Sequence, residues 1–330
     1  MFPILLAFIV GLVAQKLFGL DILWISWIEV FIYSLLGLGL YGAVYGIEMK
    51  FLKENKTLVI LAVTIWVIFK ALFVGSLLYL VYPTPYSFLL GIVVAQIDPL
   101  SVAHLEKMRA LSPRWEAVLR AWSSFDDPMT VLLVMYVWVQ FIDKFHTDSG
   151  LSGYFTQMMY NFVLFAAVFF AYFYTIFHKN KIYEIILLIV AFFVGIKFIL
   201  MLAVASLGLF LRPDLQKALI KVVAIAFLLS VVILGNAVEF SWWAVQQGIT
   251  LWVLAYCSQI VCGIVLTRWM SGQDRWGLSL AQFNGITSII LALFLELTIP
   301  GTTGIVVFAI LTINAIYVIL HKVFARKIFV

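Results

Sequence analysis

Long apolar runs, each bounded by charge, proline or glycine, follow one another along the whole chain. They lie near residues 3–19, 22–48, 57–82, 86–105, 115–141, 154–178, 182–211, 216–238, 243–267, 277–297 and 301–321. A helix that spans the bilayer hydrocarbon needs about 20 mostly apolar residues. All but one of these runs read as single crossings. The exception, 182–211, is long for one helix and short for two. Lysine and arginine decide its fate, because cytoplasmic loops carry the excess of them. If 182–211 crosses twice, turning near Gly195-Ile196-Lys197, every lysine and arginine except Lys16, Lys70, Lys144 and Lys197 falls in a cytoplasmic segment. If it crosses once, all those from Arg212 onward move outside. The pattern predicts about twelve transmembrane helices with both termini cytoplasmic, the two between 182 and 211 being short or tilted.

Composition closes off other classes. The chain is 65% apolar and 11% charged, against roughly 45–50% and about 25% for a soluble domain. So little charge excludes a soluble enzyme, a disordered protein and a nucleic-acid binder. The net charge of +5 reads as the basic excess of cytoplasmic loops, and 16% aromatic residues suit a lipid-facing surface with interfacial belts. Cys257 and Cys262 fall on different faces of one apolar helix and form no clip. The N-terminal MFPILLAFIVGLVAQKLFG has no basic leader and reads as a first transmembrane helix, not a cleaved signal.

Two interrupted helices stand out. Ala95-Gln96-Ile97-Asp98-Pro99-Leu100-Ser101 and Ala281-Gln282-Phe283-Asn284-Gly285-Ile286-Thr287 share one pattern, A-Q-apolar-[D/N]-[P/G]-apolar-[S/T]. Each lies mid-run, one helix from the end of its half, and the predicted topology runs them in opposite directions. Pro99 supplies no N–H and pushes Asp98 away from helical angles, while Gly285 tolerates non-helical ones. Paired interruptions in inverted halves point to the binding site of a secondary transporter. The chain then divides into a first inverted repeat (1–142), linker helices (143–196) and a second inverted repeat (197–330), all one membrane domain. Each repeat holds five helices, and the broken helices cross.

The fifth helix carries Trp122-Ser123-Ser124-Phe125-Asp126-Asp127-Pro128. Each aspartate at mid-bilayer costs about 2.5–3.5 kcal/mol on insertion scales. Adjacent helical residues point about 100° apart, so only one of the two faces a given cavity squarely. Pro128 has no N–H for the Ser124 carbonyl, which stays available. Asp98, Asp126 and Asp127 thus form a set of acids at one depth.

These residues resemble the monovalent cation:proton antiporter superfamily, the sodium/proton antiporters, over most of the chain. The resemblance rests on Gly46-Ile47-Glu48-Met49, on Ile97-Asp98-Pro99-Leu100-Ser101-Val102, on Asp126-Asp127, and on Ala203–Pro213 followed by a basic loop. It implies the sodium/proton antiporter fold: an all-α polytopic membrane protein with two inverted five-helix repeats. It implies exchange of Na+ or Li+ for H+ by alternating access. The cation and protons are carried at Asp127 with Asp98 beside it, and the Asp-Asp form resembles the electrogenic members. Asp126 is expected to belong with them to the cation- and proton-binding set, and Ser123, Ser124, Asn284, Thr287 and Gln259 are the expected supporting residues. It implies further a homodimer in the plasma (inner) membrane. No cofactor and no enzymatic activity are expected. The chain departs from the family at Ile97, where a threonine is common, and at Trp122, where many relatives place a glutamate. Most relatives also carry a lysine or arginine in the helix before the second broken one. Here that helix has no cation, and the nearest polar candidate is Gln259.

Lys70, mid-span in the repeat mate of that helix, is the candidate replacement, paired with Asp126 or Asp98; snorkelling is its alternative role. His104 and Arg120 read as groups nearer the cytoplasmic edge. Glu48, Glu239 and Glu296 read as solvated helix ends, and Asn314 as an interhelical hydrogen bond. Two other functions use the same residues. A sodium-coupled symporter of an organic anion would need an anion site near Lys70. An intramembrane aspartyl protease would need two acids sharing a proton, but its Gly-x-Gly-Asp pattern is absent.

Overall fold

The computed structural model describes residues 2–45, 56–61, 65–98, 112–141, 150–174, 180–214, 216–266 and 272–328. These residues are helical, with no strand among them. Glu48, Pro99, Ser101 and His104 lie outside the described residues. The main helices are α1 (Phe2–Phe18), α2 (Ile28–Tyr45), α3 (Lys56–Leu61), α4 (Val67–Val81), α5 (Tyr86–Ala95), α6 (Pro113–Phe141) and α7 (Gly150–Tyr174). They continue with α8 (Lys181–Lys197), α9 (Met201–Leu207), α10 (Gln216–Ala237), α11 (Trp242–Leu266), α12 (Gly272–Ser279), α13 (Ile286–Glu296) and α14 (Thr302–Ile328). Among the described residues, five helical stretches are long and apolar enough to cross a membrane: 28–45, 155–174, 218–237, 242–265 and 302–320. Shorter apolar helices, including α4, α5 and most of α13, accompany them.

The chain forms two compact units, each drawing on both halves of the sequence. The first comprises Met1–Ile47, Met135–Val238 and Leu293–Thr298; the second comprises Glu48–Val134, Glu239–Ala292 and Ile299–Val330. This division is interleaved along the chain.

In the first unit the run 182–211 is two helices. Asn180 caps α8 by accepting the Ile182 N–H at 2.9 Å. The helix ends at Lys197, within the expected Gly195–Lys197 turn, and the chain turns just after it, where Ile199 takes a left-handed φ of 56°, an uncommon conformation for a β-branched residue. The Gln157 amide on α7 holds this break by donating to the Phe198 and Ile199 carbonyls at 3.0 and 3.1 Å. The seven-residue α9 that follows is only about 10 Å long. Asn161 anchors it, its side-chain oxygen accepting the Ala203 N–H at 2.9 Å.

In the second unit α4 and α5 pack backbone to backbone. A Cβ on Gly91 would lie 2.5 Å from the Gly75 nitrogen, so a side chain there is excluded. Such small-residue contacts let membrane helices approach closely where no hydrophobic force drives them together. Val67, Ile97, Leu119, Trp122, Cys262, Leu278 and Ala281 form a buried cluster that joins α4, α6, α11 and both broken helices. Cys262 lies inside this cluster and Cys257 is exposed, on different faces as expected. Where α6 begins, both Asp274 carboxylate oxygens engage Ser112, taking its N–H at 2.7 Å and its hydroxyl at 3.2 Å. One of the orphan donors of a helix start is thereby satisfied from α12.

Candidate functional site: the crossing of two broken helices

The first motif begins where its helix ends, and the second interrupts its helix where expected. α5 stops at Ala95, and Gln96 is extended at φ −68°, ψ 159°. Residues 281–285 are non-helical between α12 and α13. The two breaks meet: the Asp98 N–H donates to the Phe283 carbonyl at 2.8 Å. Helix ends leave carbonyls without partners, and here amides supply the missing donors. Gln282 Nε2 donates to the Val94 and Gln96 carbonyls at 3.1 and 2.9 Å, and Asn284 Nδ2 donates to the Val94 carbonyl at 3.0 Å. Asn314 on α14 braces the second break reciprocally. Its Oδ1 accepts the Asn284 N–H at 3.1 Å, and its Nδ2 donates to the Asn284 carbonyl at 3.0 Å.

The acids of the site are buried, with Asp98, Asp126 and Asp127 only 1–3% exposed. Asp126 Oδ2 accepts the Ile97 N–H at 2.7 Å, so it holds the backbone of the first break. Asp127 Oδ2 accepts the Thr287 hydroxyl at 2.8 Å, so it reaches the second broken helix. Asp98 and Asp127 thus meet the same stretch of the second motif, Asp98 through its N–H at Phe283 and Asp127 through its carboxylate at Thr287. Gly285 abuts Asp98: a Cβ there would sit 1.3 Å from Asp98 Oδ2.

Lys70 is 1% exposed, so it neither snorkels nor faces lipid. Its ammonium donates to Gln282 Oε1 at 3.1 Å and stands 5.6 Å over the Trp122 ring. The direct carboxylate contact expected for it is absent: among the described residues no acid comes within 4.0 Å of Nζ. It attracts Asp126 through space instead. An amide oxygen is a closer partner here because Gln282 reaches across the break, while Asp126 is turned onto the Ile97 N–H. Trp122, noted as a departure from the family, thus presents an aromatic face to the lysine.

The supporting residues divide. Ser123 and Ser124 donate their hydroxyls to the Arg120 carbonyl at 3.1 and 2.8 Å, within α6. Asn284 Nδ2 also donates to Ser288 Oγ at 2.9 Å. Gln259 donates to the Leu278 carbonyl at 2.8 Å, bracing the start of the second break. Arg120 pairs with Glu116 at 3.3 Å. Glu239 is exposed, but Glu296 is 9% exposed, so it is not the solvated helix end expected.

Two residues of the site were not foreseen. Ser288 receives both Asn284 and the Gln96 amide, the latter at 2.5 Å. Its position one helical turn after Asn284 was the available signal. Tyr256 donates to the Gln282 and Ile313 carbonyls at 3.3 and 3.4 Å, which hydropathy alone does not reveal.

In fold, the chain is similar to a solved structure of the sodium proton antiporter MjNhaP1 from Methanocaldococcus jannaschii at pH 8. The TM-score is 0.68 at 17% identity, covering 98% of this chain and 90% of that one. A 3D electron-microscopy map of the same antiporter aligns with a TM-score of 0.66 at 17% identity, over 97% and 89% of the two chains. No protein-family model and no curated protein matches the chain. The chain therefore has the sodium/proton antiporter fold, that of an integral membrane protein, as its motifs implied.

Proposed function

We propose that this protein is a secondary transporter, not an enzyme, that exchanges Na+ or Li+ for H+ at Asp127 and Asp98. The observation that carries this reading is the pair of buried carboxylates, Asp98 and Asp127, that meet the second motif at Phe283 and Thr287, in a fold shared with a sodium proton antiporter. Two like charges in a site of low dielectric are unfavourable unless a proton or a cation compensates them. Cation and proton then compete for one site, and exchange is obligatory if only the compensated site changes access. Titration belongs to the coupled pair and not to either residue alone.

Asp126 and Lys70 take supporting parts in this reading. Asp126 fixes the first break through Ile97, and Lys70 balances its charge. The transport is electrogenic, as the Asp-Asp form implies. The protein works as a homodimer in the plasma membrane with both termini cytoplasmic, again as the resemblance implies.

Purified protein in liposomes with an internal pH reporter tests the reading. Addition of Na+ or Li+ should drive protons across the membrane, and an imposed membrane potential should alter the rate. Asp127→Asn keeps the size of the side chain but removes its charge and titration. That variant should fold and show only background proton movement. Cation-driven proton movement at the wild-type rate in Asp127→Asn would refute the site.

A further inference from the structure

We propose that Thr287 is a cation-binding residue that sets ion selectivity. Its hydroxyl holds Asp127 when no cation is present and turns an oxygen lone pair to the cation when one binds. The proposal rests on the reading of Asp127 as the transport carboxylate and adds a ligand from the opposite repeat.

The hydrogen-bonding habit of helical threonines carries the argument. A helical threonine can return its hydroxyl to the carbonyl four residues earlier, and Thr156, Thr250 and Thr312 do so at 2.8, 3.0 and 2.7 Å. Thr287 does not. Four residues before it stands Phe283, which lies in the non-helical break and whose carbonyl already accepts the Asp98 N–H at 2.8 Å. The Thr287 hydroxyl is directed instead to Asp127 Oδ2 at 2.8 Å. Both side chains are 2% exposed, so water does not compete for this bond. The second break and the first turn of α13 therefore hold both working acids, Asp98 through the Phe283 backbone and Asp127 through the Thr287 side chain.

A hydroxyl has one proton and two lone pairs. It donates to an ionised carboxylate, accepts from a protonated one, and coordinates a hard cation through oxygen. Each stage of an exchange cycle thus finds a partner in Thr287 after rotation of one bond. Valine has the same shape and offers none of these. Because the field at an oxygen ligand is strongest for a small ion, losing that ligand should harm Li+ and Na+ more than K+.

The test measures apparent KM for Li+, Na+ and K+ in proteoliposomes of wild type, Thr287→Val and Thr287→Ser, with each protein's folding followed by thermal unfolding in detergent. Thr287→Val should raise the KM for Na+ about tenfold, the size of one lost hydrogen bond or ligand, and lower the preference for Na+ over K+. Thr287→Ser, which keeps the hydroxyl, should restore both. If Thr287→Val does not fold, Thr287→Ala takes its place with the same expected changes. A wild-type protein that exchanges Na+ for protons, together with variants of unchanged KM and selectivity, would overturn the role of Thr287 and leave the transport reading standing. Equal KM increases for all three ions would assign Thr287 a purely structural part and also overturn it. A wild-type protein without cation-driven proton movement would remove the transport reading and this proposal with it.

Discussion

The two broken helices share a seven-residue pattern, yet they divide their chemistry. The first motif brings the charge: Asp98 lies in it, and Asp126 holds its Ile97 N–H. The second brings neutral donors and room. Gln282 and Asn284 point their amide nitrogens at the carbonyls ending α5. A carboxylate at position 284 would face those same carbonyls, acceptor against acceptor, so asparagine is the residue the geometry needs there. Gly285 opposes Asp98 and has no side chain to obstruct it. The helices before the breaks differ in the same sense, with Lys70 on α4 and neutral Gln259 on α11. The lesson is that a shared motif need not imply a shared charge. One half holds the ionisable groups, and the other caps and frames them.

Removing the room has the largest expected effect on this arrangement. In Gly285→Ala the new Cβ would lie 1.3 Å from Asp98 Oδ2 and 2.1 Å from its Cγ, so the carboxylate has to move. Overpacking a tight interior costs about 1–3 kcal/mol, and the displaced Asp98 also loses its place beside Asp127. Thermal unfolding in detergent should show a lowered midpoint, and Na+-driven proton transport should fall to near background. A variant with wild-type midpoint and KM would show that the crossing has room for a side chain at position 285.

The charged helix comes next. Lys70→Met keeps the length of the side chain and removes its ammonium. Gln282 Oε1 then loses its donor at 3.1 Å, and leaving a buried acceptor without a partner costs about 1–3 kcal/mol. Asp126 loses its nearby positive charge as well. The variant should unfold at lower temperature, and its transport should show an altered response to membrane potential or pH. Changed stability with identical transport would make Lys70 a bracket for the crossing and nothing more.

Much of this site was legible in the sequence, because its elements carry strong local signals. A proline and a glycine at matched positions of two apolar runs announce interruptions. Acids within apolar runs announce function through their insertion cost. Lys70 was also visible as a buried cation, but its partner was not. Coulombic reasoning assigns it a carboxylate, whereas the side chain that reaches it is a glutamine from 212 positions away. Ser288 was missed for a related reason, since a serine in an apolar helix has no pattern until the amides that meet there are known. The break between α8 and α9 falls at the expected place, but its brace, Gln157 on another helix, was not visible in the sequence.

Gln259 should have the smallest effect, and its reason sharpens the comparison with Lys70. It is the nearest polar candidate on α11, the helix in which the family resemblance leads one to expect a cation. Its amide nitrogen makes one hydrogen bond, to the Leu278 carbonyl at 2.8 Å. Its Oε1 is buried and meets no donor among the described residues. Gln259→Leu removes a favourable bond but also an unsatisfied acceptor, and the two changes oppose each other. A net intramolecular hydrogen bond contributes about 0.5–1.5 kcal/mol, and a buried unpartnered polar atom costs a similar amount or more. The stability change should therefore stay within about 1 kcal/mol, and transport should persist with its KM for Na+ little altered. Lys70→Met, on the mate helix, loses a bond and a charge with no such offset. If Gln259→Leu abolished transport as Gly285→Ala is expected to, the neutral half of the crossing would be more than a frame, and Gln259 Oε1 would belong among the cation's ligands.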